Sequence, residues 1–276
     1  MMMKKFMIAG LLLILTRQTN AQYYYLDIIG TQQTNDQYKK VLQQNLSSIS
    51  ATSFEQSNKP STDFVLEQNI ANNQIVTRSA SINSKESFFT SYYTSGKLTK
   101  TIDSNNSAIN TVEYKYNNKG KLLSSTSSNK DFDGTYDQSE IHQWQYDDAG
   151  NPLKMLKIKN NADTTIVECK LDEAGNIIEE SWKKNNRVIE TYYYYYNAKN
   201  QLTDVVRYNR KAKQMLPDIM FEYDSSGLVS QMTQTQGTSA NYLIWRYVYN
   251  NKGLKEKEFA FNKKKELLGK IEYTYK

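Results

Sequence analysis

From about Tyr92 onward, apolar and polar residues alternate along the chain with period two, and the alternation breaks at nearly regular intervals for a short polar turn. Just before these turns stand the pairs Tyr114/Tyr116, Trp144/Tyr146, Tyr194/Tyr196, Phe221/Tyr223 and Tyr247/Tyr249, with Cys169/Leu171 as a smaller variant. Two residues after the turns come Leu98, Leu122, Ile177, Leu202 and Val229. A period of two marks a strand with one apolar face. Each turn therefore joins two short strands into a β-hairpin.

The turns are copies of one another. YNNKGKL at 116, YDDAGNP at 146, LDEAGNI at 171, YNAKNQL at 196, YDSSGLV at 223 and YNNKGLK at 249 align, and YYTSGKL at 92 is a degraded relative. Asp or Asn in the second place accepts hydrogen bonds from backbone two residues on, which favours a type I turn. The fifth place then requires positive φ, as in a hairpin closed by a G1 bulge. Gly96, Gly120, Gly150, Gly175, Gly227 and Gly253 fill it, and Asn200, the residue that best tolerates that region after glycine, fills it once.

A series of this kind predicts an all-β fold over residues 87–276: a twisted, curved antiparallel meander of hairpins, as an open single-layer sheet or superhelix. Residues 22–86 read as a small N-terminal cap, since repeat arrays need polar ends. Within them Gln33–Leu46 reads as a short helix with Thr34 or Asn35 as its N-cap. A strand, a turn at Asn58-Lys59-Pro60 and a second strand follow. Near the other end, Lys263, Lys264 and Lys265 would discourage edge-to-edge pairing.

The aromatic–Asp/Asn–x–x–Gly–polar–Leu/Ile unit resembles the YD-repeat (RHS) family over about Tyr92 to Lys276. The resemblance implies a curved sheet of hairpins and an extracellular binding or adhesion role, sometimes linked to carbohydrate. Only Tyr146-Asp147 and Tyr223-Asp224 carry the literal pair, and seven copies are too few to enclose a toxin.

The first 21 residues change the picture of location. Lys4 and Lys5 precede an apolar stretch, Phe6–Leu15, too short to span a bilayer, and Thr19 and Ala21 are small residues before Gln22. This reads as a secretory signal peptide cleaved after Ala21, giving a secreted, periplasmic or cell-surface protein with no transmembrane segment in the mature chain. Removing it takes the net charge from +6 to +3, so no nucleic-acid partner is called for. The strands are too polar for lipid-facing barrel walls. Mean hydropathy is −0.74, yet 22 Tyr, 9 Phe and 3 Trp argue against disorder.

Candidate chemistry is sparse. One His and one Cys cannot build a Ser-His-Asp, Cys-His or zinc arrangement. His142 reads as a surface or cross-strand residue and Cys169 as a small buried hydrophobe. Trp144, Tyr194, Phe221 and Tyr247 hold equivalent positions and predict one aromatic ladder. That ladder, or the opposite face around Tyr193 and Tyr195, is the candidate ligand surface for an extracytoplasmic glycan or envelope protein; cross-strand packing is the plainer reading. Residues 129–140 offer Asn129, Asp131, Asp133, Gly134, Asp137 and Glu140 at the spacing of a calcium loop. The same stretch reads more simply as an Asp-Gly hairpin turn, with no cofactor. The function expected is non-enzymatic: a binding or scaffold module, with a purely structural envelope protein or an unfamiliar hydrolase as alternatives.

Overall fold

The computed structural model describes residues 22–276 except 63, 72, 82, 83, 106 and 236–240; the expected signal peptide lies outside them. A π-helical turn, Tyr24–Ile29, runs directly into helix α1, Gly30–Gln43. Eighteen strands follow. They are β1 (Ser48–Glu55), β2 (Val65–Ala71), β3 (Gln74–Ser81), β4 (Ser84–Thr94), β5 (Lys97–Ser104) and β6 (Ala108–Tyr116). Next come β7 (Leu122–Asp131), β8 (Asp137–Tyr146), β9 (Pro152–Lys159), β10 (Asp163–Leu171), β11 (Ile177–Lys184) and β12 (Arg187–Tyr196). The last are β13 (Leu202–Asn209), β14 (Gln214–Tyr223), β15 (Val229–Thr235), β16 (Tyr242–Tyr249), β17 (Lys255–Phe261) and β18 (Leu267–Tyr275).

Each strand pairs antiparallel with its sequence neighbours, and β1 pairs with both β2 and β18, Ile49 lying opposite Tyr275. The sheet is therefore a closed 18-stranded barrel. This corrects the expected open sheet or superhelix, and with it the reading of the chain as a YD-repeat array: twist and coil bring the first and last strands together, which leaves no free edge. It also removes the N-terminal cap, because a closed sheet has no end to cover; β1, β2 and β3 are wall. The lysines at 263–265 guard no edge, since β18 is paired on both sides. Strands about 4.8 Å apart and tilted about 40° close eighteen around a diameter of about 35 Å.

The repeated turns all lie on one rim. There Gly120, Gly150, Gly175, Gly227 and Gly253 have φ between +71° and +87°, Gly96 has +76° and Asn200 has +56°. Each Asx side chain holds its turn as the residue type predicts: Asn117 Oδ1 accepts from Lys119 N at 3.0 Å and Lys121 N at 2.9 Å. The tyrosine that opens each copy stitches it to the preceding one. Tyr116 OH donates to Leu98 O (2.8 Å), Tyr146 OH to Leu122 O (2.5 Å), Tyr196 OH to Ile177 O (2.8 Å), Tyr223 OH to Leu202 O (2.6 Å) and Tyr249 OH to Val229 O (2.8 Å). The acceptors are the apolar positions that begin the strands after the turns. Leu171, the variant copy, has no hydroxyl to donate.

The opposite rim uses other chemistry. Asn160-Asn161 and Asn185-Asn186 take positive φ at both positions, the signature of tight primed hairpin turns.

The helical segment lies inside. Its first part packs against the inner faces of β8, β11, β12 and β14, in a cluster that includes Trp144, Met155, Ile177, Trp182, Tyr194 and Phe221. Helix α1 starts three residues before the expected Gln33 and without a side-chain N-cap bond. It crosses the glycine-bearing rim, where Val41 packs on Ile49, Leu66 and Ile271. Tyr38 stacks on Tyr93 at 3.6 Å and 7°. Asn35 Oδ1 accepts from Leu98 N at 2.7 Å, and Lys40 Nζ donates to Gly253 O at 3.3 Å.

Candidate functional site

The interior is divided. Against β9 to β17 it is filled with aromatic and aliphatic side chains and the segment 22–29. Along β2 to β8 a cavity of about 950 Å³ remains, floored by Gly30, Thr34, Gln37 and Tyr38. Its wall mixes neutral polar side chains with aromatic and aliphatic ones. Asp103, Asn110, Asn129 and Gln138 face one another in register across β5 to β8. Deeper come Thr77, Ser91, Thr101, Ser125 and Ser127, with Phe89, Tyr93 and Tyr114 as aromatic surfaces. Exposure rises from Ser125, buried, through Ser127 to Asn129, exposed, so the cavity opens at the rim opposite α1.

At the boundary between the filled and hollow halves sits a charged cluster. Asp27 Oδ2 lies 2.7 Å from His142 Nδ1 and accepts from Trp144 Nε1 at 3.0 Å. His142 Nε2 is 2.9 Å from Glu140 Oε1, whose other oxygen is 3.0 Å from Lys157 Nζ. Lys157 Nζ donates to Tyr23 OH at 2.5 Å, and the Tyr23 ring stacks on Trp182 at 4.5 Å. Burial disfavours charge on His142, but Asp27 and Glu140 outweigh it and hold the imidazole up to about 9. Burial also opposes ionised Glu140, yet bonds from His142 and Lys157 bring it down to about 2. With a carboxylate on each nitrogen, the ring is an imidazolium at neutral pH.

The ladder foreseen from sequence exists but is not a surface. Trp144, Tyr194, Phe221 and Tyr247 all point inward and are only 1–7% exposed. Tyr24 meets Tyr194 edge-on at 5.4 Å and Tyr25 covers Phe221 at 5.6 Å. The chain's own N-terminal segment occupies the face expected to take a ligand, and sugar stacking there is ruled out by contact. On the outer face Tyr193 is half-buried and Tyr195 is 52% exposed. Cys169 is buried, and burial pushes its thiol up. His142 is neither at the surface nor a simple cross-strand residue, since its partner Asp27 is 115 residues away.

The calcium-loop residues are spread along a hairpin. Asn129 is paired with Gln138 in β7 and β8, and Glu140 serves His142 and Lys157. Asp131 accepts from Thr135 Oγ1 (2.5 Å) and Tyr136 N (3.1 Å), closing the turn around Gly134, φ +70°. Asp137 pairs with Lys130 at 3.2 Å. Asp133 is an exposed turn residue. Among the described residues no group of three or more His, Cys, Asp or Glu is placed to hold a metal.

Sequence reading missed Asp27 as the anchor of the cluster and missed the cavity. The signal for the cavity was present in part: among the inward positions of β5 to β7 are Thr101, Asp103, Asn110, Ser125, Ser127 and Asn129, where Trp144, Met155, Val167, Ile177, Tyr194, Val205, Phe221 and Met232 fill the other half.

Fold and site together define a closed antiparallel β-barrel with an internal N-terminal segment and a polar cavity beside it. No protein-family model and no curated protein matches the chain. Solved structures do. A porin-like protein from Bacteroides uniformis ATCC 8492 aligns over 84% of this chain and 98% of its own, at 9% identity and TM-score 0.39. The TcdB2-TccC3-Cdc42 structure aligns over 75% of this chain and 12% of that one, at 15% identity and TM-score 0.35. The Photorhabdus luminescens Tc holotoxin pore aligns over the same shares at 15% and 0.34. All three scores lie below 0.5, and the barrel described above rests on the chain's own strand pairing.

Proposed function

We propose that this chain is a non-enzymatic binding protein of the cell envelope whose ligand, a short neutral glycan, enters the polar half of the barrel. The observation that carries the reading is the cavity wall. Amides in register at its mouth present paired donors and acceptors, hydroxyls line the depth, and Phe89 and Tyr114 offer ring faces. A volume of about 950 Å³ is at the upper end of ordinary small-ligand pockets, ~300–1,000 Å³. A folded protein partner does not fit such a space, so the glycan is favoured over the envelope protein.

An aqueous setting is supported by the outer wall. Arg78 pairs there with Glu67 and Glu86, Lys100 with Glu113, and Lys183 with Glu168. Arg78 and Lys100 lie at mid-strand, where an Arg or Lys costs ~2–4 kcal/mol against lipid at the bilayer centre. The leader-like residues 1–21 support export.

The test is calorimetric titration with a panel of neutral oligosaccharides, beside a Ser125→Trp variant that fills the cavity. Binding to the parent and its loss in the variant, with an unchanged strand spectrum, is expected. Heat that persists in Ser125→Trp would place the site elsewhere, and no heat across the panel would favour a structural role.

A further inference from the structure

The N-terminal segment meets the wall at a buried charge with neutral partners. Glu180, on β11, is fully buried. Its Oε1 accepts from Tyr23 N (3.0 Å) and Trp182 Nε1 (2.6 Å), and its Oε2 from Tyr24 N (2.9 Å) and Tyr194 OH (2.5 Å). Four donors on two oxygens fill the acceptor sites of an ionised carboxylate and leave no position for a proton. Burial of such a charge without a cation is costly. It drives the Glu180 pKa upward, against the pull of those hydrogen bonds.

Gln22 stands beside it. The residue is 2% exposed, its Nε2 donates to Asp218 Oδ2 at 3.1 Å, and its Oε1 is buried with no partner among the described residues. Its carbonyl accepts the first helical bond, from Leu26 N at 2.9 Å. Its own nitrogen therefore heads the turn whose next two N–H groups both point at Glu180. Successive backbone nitrogens are less than ~4 Å apart, which places Gln22 N within about 7 Å of Glu180 Oε1.

We propose that residues 1–21 are removed by hydrolysis of the Ala21–Gln22 bond, and that the α-ammonium so formed on Gln22 is the counter-charge of Glu180. In that step the C–N bond breaks and water supplies the oxygen of a new Ala21 carboxylate. The nitrogen keeps the bonding pair and takes up both protons, becoming an ammonium. It then brings three donors where the amide had one, and a positive charge within about 7 Å of the Glu180 carboxylate, whose own acceptor sites are already filled. Cleavage on this view locks segment 22–29 into the barrel.

The test compares a chain beginning at Gln22 with one carrying a single extra alanine before it, each with and without Glu180→Gln. The Gln22 chain is expected to melt higher than the extended one, with Glu180→Gln erasing the difference. Independently of any variant, its α-amine should resist acylation in the folded protein and react on unfolding. Mass analysis of exported protein should find free Gln22. Equal melting, a difference that survives Glu180→Gln, or an amine that acylates equally fast when folded would overturn the assignment. So would a pyroglutamate at Gln22, since cyclisation expels ammonia and removes the charge.

Discussion

Asp27 and His142, 115 residues apart, are joined by a 2.7 Å contact that ties the internal segment to the barrel wall. The ion pair is nearly enclosed, so its titration is felt as stability. His142 has a folded pKa raised to about 9, above the ordinary ~6.5. Its contribution is fully present below about pH 6.5 and is lost as pH rises through about 9. Glu140, lowered to about 2, contributes above about pH 4.5 and loses that contribution as pH falls through 2. Melting temperature against pH should show both slopes, and Asp27→Asn should flatten the alkaline one. An alkaline limb identical in Asp27→Asn and parent would show that the pair does not set it.

At the glycine rim, Gly150→Val should cost more than ~1 kcal/mol. A Cβ there meets only Lys121 Cε at 3.9 Å, so the penalty comes from φ +87° and not from crowding. Asn200→Gly should be near neutral or mildly stabilising. Denaturant midpoints measure both, and an unchanged midpoint for Gly150→Val would contradict the turn geometry.

Tyr223→Phe removes the bond to Leu202 O and nothing else of size. The expected loss is about 1 kcal/mol. Because the same stitch recurs at Tyr116, Tyr146, Tyr196 and Tyr249, the five losses should add, the sites being well separated. A quintuple variant as stable as the parent would mean that these hydroxyls are satisfied equally well by water.

Trp144→Ala should be among the most damaging single changes, ~3–5 kcal/mol. It opens a void beneath the ladder and strips Asp27 of one donor. Trp144→Phe keeps most of the volume and isolates the second effect, expected near 1–3 kcal/mol. Thermal unfolding of the pair separates them.

Much of the wall was legible because its information is local. Alternation, Asx side chains and the left-handed fifth residue each act within a few positions, so the hairpins from Tyr92 onward were readable one at a time. The Asn160-Asn161 and Asn185-Asn186 turns are equally local, but an Asn-Asn pair without glycine is a weaker signal of a primed turn than Asn-Gly or Asp-Gly. Closure was not legible: no residue of β1 or β18 announces a partner at the other end of the chain. The ladder shows the same limit. Period two says that Trp144 and Tyr194 share a face, but only the position of Tyr24 and Tyr25 decides that the face is inside. Asp27 reads as one polar letter in an apolar stretch until His142 is seen beside it.

The seam between β1 and β18 has a consequence for how the molecule is made. Ser47 and Lys276, which meet there, are 229 residues apart. Contacts so distant in sequence carry the largest loop-closure penalty and form late. Until the final strand leaves the ribosome or the export channel, two bare edges stay open to other chains. The internal segment, emerging first, has to find its berth before the wall shuts around it. Birth order along the polypeptide is thus also assembly order, and a message truncated just before β18 would yield an open, association-prone sheet.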